Sequence, residues 1–201
     1  MKKQKSSDTA STITIPKLDK HILKLTIVGE SPLILNKWSE KSIKAIEEKQ
    51  GRTAKSMVKA IRVPEEEVRE ATHFIQSGPH KGKPGIPALA FKNAAVTACT
   101  SLGRDFPKTK ARQAFHVIGD ILPINGEMSP RKDTITYPNG SGGLAYRPSW
   151  NKWSVDLDIR YNSNVISPEQ LASLFSLAGF AVGVGCWRPE KNGDKGLFKV
   201  A

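Results

Sequence analysis

The stretch Gly183-Val-Gly185-Cys-Trp187-Arg188-Pro-Glu-Lys191-Asn-Gly193-Asp-Lys195-Gly196 is the densest candidate for chemistry in the chain. Glycines let a backbone approach a phosphate closely, and successive N–H groups can cradle it. Gly183, Gly185, Gly193 and Gly196 are therefore candidate cradle positions. Arg188, Lys191 and Lys195 supply charge, and Trp187 offers a face on which a base could stack. No Gly-Lys-Ser/Thr follows at the spacing of a phosphate-binding P-loop. A helix is expected before the loop, where a dinucleotide fingerprint needs a strand. The competing expectation is a hairpin whose tryptophan packs on the core.

Three further groups share this basic and aromatic character. Tyr146-Arg147-Pro-Ser-Trp150-Asn-Lys152-Trp153 interleaves rings with cations. That suits a single strand, since each base has a face to stack and each nucleotide a phosphate to neutralise. The alternative is that Tyr146 and Trp153 are core or strand-end aromatics. Between residues 37 and 62 lie eight basic residues and three acidic ones, with Lys37, Trp38, Arg52, Lys55, Lys59 and Arg62 as candidate contacts. Pro87-Ala-Leu-Ala-Phe91-Lys92-Asn93 reads as a helix start with Lys92 one turn in, a place where an anion is favoured.

Catalytic patterns are sparse. His21, His73, His80 and His116 have no metal-ligand spacing with one another or with a cysteine. His80, in a basic glycine-rich loop, is the best-placed general base for RNA cleavage, while His116 reads as structural. Asp156 and Asp158 share one face of a strand and could hold a cation, but with Arg160 beside them they read as the wet side of a sheet. Serine-hydrolase, zinc-protease and zinc-deaminase patterns do not occur. The expectation is a protein with no catalytic residues, no metal and no cofactor.

The whole chain agrees with a polyanion partner. In 201 residues, 31 are Lys or Arg and 19 are Asp or Glu, for a net charge of +12. Hydrophobic residues make up 38%, enough for a globular core. No apolar run approaches the roughly 18 residues of a membrane span, and the basic start Met1-Lys2-Lys3 has no apolar core after it, so no signal peptide is expected. Two cysteines, Cys99 and Cys186, exclude a disulfide scaffold and a four-cysteine zinc site; a reducing cytoplasm is the expected setting.

These candidates need elements to position them. Residues 1–20 read as a disordered basic tail, and 21–201 as a single domain with insertions at about 37–76 and 123–150. Leu23, Leu25 and Ile27 alternate with Lys24 and Thr26, which predicts a first strand over 21–29. Ser39 is a candidate cap for a weak helix through Ile43 and Ile46, and Pro64-Glu-Glu-Glu67 opens another. Residues 78–85 read as a loop and 86–102 as a helix, with Pro87 in its first turn, Gly103 as its stop and Phe91, Ala95, Ala98 and Leu102 as its buried stripe. A strand over 115–122 follows, and Thr134-Ile-Thr-Tyr137 reads as a hairpin arm. In 153–161, Val155, Leu157, Ile159 and Tyr161 fall on one face and Asp156, Asp158 and Arg160 on the other. Ser167-Pro-Glu-Gln170 is a capping box opening a helix through Leu171, Leu174, Phe175 and Ala178, and Leu197-Phe-Lys-Val200 is a last strand. The order strand, helix, strand, then strand, helix, strand predicts an α+β fold with a ferredoxin-like core, the arrangement also used by RNA-recognition domains.

Those residues resemble a known family. Leu23-Lys-Leu-Thr-Ile-Val-Gly-Glu-Ser-Pro-Leu33 is similar to the first strand of the RAMP superfamily, the backbone subunits of CRISPR effector complexes. Ile86-Pro-Ala-Leu-Ala-Phe-Lys92-Asn-Ala-Ala95 resembles its Ile-Pro-Gly-Ser-Ser-hydrophobic-Lys helix start, with alanine and phenylalanine where the family often has glycine and serine. The loop from Gly183 to Gly196 resembles its C-terminal glycine-rich loop. The ending Ala178-Gly-Phe-x-Val-Gly-Val-Gly-x-Trp187-Arg-Pro-Glu-Lys191-Asn-Gly193 bears a closer resemblance, to small bacteriophage proteins associated with replication and recombination. The resemblance implies a ferredoxin-like core, subunits repeated along a strand, and no chemistry of its own.

The resulting expectation is a non-enzymatic phage protein that coats single-stranded DNA as an oligomer, in the cytoplasm of an infected or lysogenic bacterium, alongside phage recombination proteins. The alternatives are an RNA-binding protein like a CRISPR backbone subunit and a metal-independent endoribonuclease. A protein–protein adaptor with an acidic partner is a weaker third.

Overall fold

The computed structural model describes residues 17–38, 43, 44, 46, 47, 63–136 and 140–201. The first strand, β1, runs Lys20–Gly29, followed by a short β2, Leu33–Ile34. Helix α1 covers Pro64–Glu70, with Pro64 in its first turn and three glutamates where the helix dipole favours them. Two short strands, β3 (His73–Phe74) and β4 (Pro84–Pro87), precede α2, Ala88–Ala98, which tightens into a 3-10 turn over Cys99–Leu102. Helix α3, Lys108–Ala114, leads directly into β5, Phe115–Val117. Then come β6 (Ile121–Pro123), the long hairpin of β7 (Met128–Thr136) and β8 (Gly142–Trp150), and β9 (Ser154–Asn162). Helix α4, Pro168–Ala181, precedes a 3-10 turn at Pro189–Lys191 and the last strand, β10, Phe198–Val200.

The main sheet has the order β10-β1-β9-β5 with every neighbour antiparallel. Its strands are met along the chain as β1, β5, β9 and β10, so the spatial order is fourth, first, third, second. Helices α2 and α3 fill the connection from first to second strand, and α4 the connection from third to fourth. This is the ferredoxin-like arrangement. The remaining strands form two smaller sheets, β2-β8-β7 and β3-β4-β6.

Period-two alternation decides which face the helices cover. Val155, Leu157 and Ile159 are buried, while Asp156, Asp158 and Arg160 between them are exposed. The apolar face meets α2 and α4, and four phenylalanines close the layer. Phe91 meets Phe198 edge-on at 5.7 Å between ring centroids, and Phe115 meets Phe175 at 5.9 Å. Each such ring contributes about 1.5–3 kcal/mol by burial. Helix α4 begins with the expected capping box: the Ser167 hydroxyl accepts from the Gln170 N–H, and the Gln170 side chain accepts from the Ser167 N–H. It packs so close to β10 that a Cβ on Gly179 would lie 1.8 Å from the carbonyl oxygen of Phe198.

Several boundaries differ from expectation. Residues 84–87 are strand because Gly85, Ile86 and Pro87 pair with Pro123, Leu122 and Ile121, so the helix begins at Ala88 and Pro87 precedes it. Leu102 ends the 3-10 turn and is 37% exposed, outside the buried stripe of Phe91, Ala95 and Ala98. The strand expected over 115–122 is two strands in different sheets, divided around Gly119 at φ +108°. Helix α3 was not anticipated. The hairpin is longer than the expected arm, with Met128 opposite Trp150 and Thr136 opposite Gly142. The tail over 1–16, the Ser39 cap and Tyr137 lie outside the described residues. At the other end of the tail, Lys17 and Asp19 are tied to Asn164 and Ser163 by hydrogen bonds.

Candidate nucleic-acid interface

The glycine-rich loop after α4 is a packed structure anchored to β2. The Cys186 N–H donates to the Ile34 carbonyl at 2.8 Å, and the Gly196 N–H to the Pro32 carbonyl at 2.9 Å. The loop also folds onto itself, through Val184 N–H to Gly196 O and Lys195 N–H to Trp187 O, each 2.9 Å. Crossing strands of chain at these distances leave no room for side chains. A Cβ on Gly193 would sit 1.8 Å from the Trp187 carbonyl, one on Gly196 1.7 Å from that of Val184, and one on Gly185 2.4 Å from that of Ile34. Gly183 would meet Pro189 at 2.9 Å. Packing inside the protein therefore accounts for all four glycines that the sequence suggested as a phosphate cradle. What the loop presents outward is its side chains.

Trp187 is the centre of that presentation. Its backbone has φ +54°, a conformation uncommon for a bulky residue and held here by the crossing of residue 193. Its ring lies 5.3 Å from the guanidinium carbons of both Arg131 and Arg147, which face each other across the β7–β8 ladder. Asp133 sits beneath them, 4% exposed, with Arg131 at 2.7 Å and Arg147 at 3.8 Å. The buried carboxylate accepts from Arg131 and lies within ion-pair distance of Arg147, and the ring packs on both guanidinium groups at the junction of hairpin and loop. Arg188 on the same loop binds Glu190 and donates to the Gly185 carbonyl at 3.0 Å.

Beside this junction lies a cleft of about 640 Å³ between α2 and the loop. Lys92, Lys108, Arg112 and Arg188 line it together with Asn93 and Thr97, and Glu190 is the one acid among its described lining residues. The Lys92 ammonium is held below the ordinary lysine range by partial burial. It reaches the Nδ1 of His116 at 2.9 Å. The second surface that a ferredoxin-like fold offers, the outer face of its sheet, has a different character. Lys24 faces Asp158 there, and Thr26 donates to Asp156 at 2.7 Å. The exposed positions of β9 on that face are two carboxylates and Arg160, with no aromatic ring to stack a base.

The expected contacts divide accordingly. Lys92, Arg147, Trp187 and Arg188 come together around the cleft and the junction. Lys191 is exposed nearby, and Lys195 pairs with Asp194 at 2.9 Å. Tyr146 is half-buried on β8, and Lys152 is exposed in the β8–β9 turn. Two expectations are corrected. Trp150 is fully buried in the core, and Trp153 is 4% exposed with its indole N–H donating to Ser31 O at 2.8 Å, so neither can stack a base. Lys37 and Trp38, just past β2, are exposed and are not among the residues lining the cleft, with Trp38 62% exposed. Arg52, Lys55, Lys59 and Arg62 lie outside the described residues. His80 is exposed on a turn, while Asp156 and Asp158 are on the sheet's wet face as the pattern implied. Among the described residues no three of His, Cys, Asp and Glu form a cluster suited to a metal. Sequence reasoning missed Arg131, Lys108 and Arg112. The basic spacing Lys108-Thr-Lys110-Ala-Arg112 was the available signal for the latter two.

No protein-family model matches the chain, and no curated protein matches it. Solved structures do. A chain of the Type III-B Cmr-beta structure, determined by cryo-EM bound to cognate target RNA, is similar over 90% of this protein, with 13% identity and a TM-score of 0.54. The ferredoxin-like fold is shared. The alignment covers 59% of that neighbour, so this chain spans under two thirds of its length. Cmr6 from Pyrococcus furiosus aligns over 92% of this chain and all of its own, with 11% identity and a TM-score of 0.44.

Proposed function

We propose that this protein binds single-stranded nucleic acid, RNA in preference to DNA, as one of several subunits set along the strand. The observation that carries this is the cleft beside the Trp187 junction: cations from α2, α3 and the loop line one groove with a single acid among the described residues, next to two arginines packed on the Trp187 ring. Such a groove tracks a phosphate backbone without reading sequence. The β1–β9 part of the sheet face, where Asp156 and Asp158 meet Thr26 and Lys24, gives a polyanion no comparable purchase. The preference for RNA is supported by the likeness to a chain of an RNA-bound structure, and it replaces the phage DNA coat as the leading reading. Binding without cleavage is part of the same proposal.

The test is fluorescence anisotropy with labelled oligouridylate, oligothymidylate and duplex DNA, on the wild type and on a Lys108→Ala/Arg112→Ala variant. Tighter binding to oligouridylate, weakened in the variant, is the expected result. Equal affinity for the duplex, or no loss in the variant, would place binding elsewhere or nowhere. Intact RNA after prolonged incubation is expected; cleavage lost in His80→Ala would establish the ribonuclease alternative instead.

A further inference from the structure

The rim of the cleft at β5 carries a contact that the single-strand reading does not use. Lys92 Nζ lies 2.9 Å from His116 Nδ1. An ammonium has only protons to offer, so Nδ1 accepts and the imidazole is neutral, with its own proton on Nε2. Arg160 stands directly opposite His116 in the β5–β9 ladder, on the same face of the sheet. His116 is exposed, and Lys92 also lines the cleft.

The surroundings of this histidine are lopsided in charge. Helix α2 contributes Lys92 as its one charged residue. Helix α3 contributes Lys108, Lys110 and Arg112. Strand β9 contributes Arg160 opposite, with Asp158 and Asp156 two and four residues further along; Asp158 faces Lys24 and Asp156 is bound by Thr26. Three nitrogen-bearing groups thus converge, and the nearby carboxylates face partners on β1.

We propose that Lys92, His116 and Arg160 form a phosphodiester subsite at the rim of the cleft, occupied together with a proton taken up by His116. A phosphate oxygen between Lys92 and the ring can accept from both, once Nδ1 carries a hydrogen. The anion also offsets the repulsion that a second cation beside Lys92 would otherwise meet. The proposal deepens the single-strand reading and rests on it for the identity of the ligand.

Partial burial, then Lys92, then Arg160 hold the free His116 below the ordinary histidine value of 6.5. A bound anion raises it. Affinity therefore increases as pH falls through the ligand-bound pKa and levels off below the free one. Each unit of difference between the two is tenfold in affinity.

The experiment uses a short oligouridylate with hydroxyl ends, which does not titrate across this range, and follows the His116 ring by NMR with and without it. Anisotropy at about pH 5.5 and about pH 8 then compares the wild type with His116→Gln. The expected result is a rise of about one unit in the His116 midpoint on binding, and roughly tenfold tighter binding at the acid end that the variant loses. An unchanged midpoint, or the same pH dependence in the variant, overturns the subsite while leaving the cleft reading intact. If the oligonucleotide does not bind at either pH, the single-strand reading has failed, and sulfate decides the subsite. A His116 midpoint that rises with sulfate, but not with chloride at equal ionic strength, supports it; one that does not move overturns it.

Discussion

Asp133 shows how much of this surface depends on one buried group. Its carboxylate is 4% exposed and holds Arg131 at 2.7 Å and Arg147 at 3.8 Å under the Trp187 ring. Asp133→Ala removes the buried carboxylate that pairs with both arginines. Breaking a fully buried pair costs about 3–5 kcal/mol. Arg131 is 38% exposed and recovers some hydration, so about 1–3 kcal/mol is expected here. Urea denaturation measures it, and an unchanged midpoint would mean that the pairing holds nothing in place. This arrangement was only half legible in the sequence. Trp187 stood out as an aromatic among cations, and Arg147 likewise, but Arg131 meets them only through the pairing of β7 with β8, 56 residues before the tryptophan. Trp150 and Trp153 illustrate the converse. Alternation of rings and cations looks the same whether the rings face a ligand or the core, and only the register of β8 and the Ser31 hydrogen bond distinguish the two.

Among the elements, β1, β9 and α4 were legible because each carries its own periodicity or cap, and β10 was expected in place, whereas β5 was read as one strand running on to residue 122. Other short pieces were not legible. Strand β4 exists through its pairing with β3 and β6, a tertiary cause that overrides the helical pattern read from Ile86 onward. Helix α3 has two turns, no acidic first turn and no side-chain cap, so little local signal marks it. The packing of α4 on β10 gives a test in which two local effects oppose each other. Gly179→Ala improves helix propensity by about 1 kcal/mol. The new methyl would collide with the Phe198 backbone at 1.8 Å, and overpacking of a rigid neighbour costs about 1–3 kcal/mol with no flexible side chain to yield. The expected result is a lower Tm. A higher one would mean that α4 can slide away from β10, and that the anchoring of the glycine loop between them is looser than its hydrogen bonds indicate.

At the scale of the whole molecule, the charge of the described residues is spread unevenly over the surfaces of the fold. The sheet face offsets its cations with Asp156 and Asp158, whereas the cleft concentrates Lys92, Lys108 and Arg112 beside an Arg188 already bound to Glu190. A protein that bound only through diffuse charge would respond to every basic residue alike. One that binds through the cleft has a salt dependence set by the cations the strand displaces there. Three phosphates neutralised on a single strand give a slope of about −2.1 in log affinity against log salt, a loss of about 20-fold between roughly 50 and 200 mM. Each further phosphate, contacted by Arg131 or Lys191 for example, multiplies that loss by about 2.6. The Lys108→Ala/Arg112→Ala variant should therefore bind more weakly and also show a shallower slope, by about 1.4. A variant with weaker binding and an unchanged slope would mean that these residues shape the cleft without touching phosphate. An unchanged affinity and slope would move the strand off the cleft, toward the Trp187 junction.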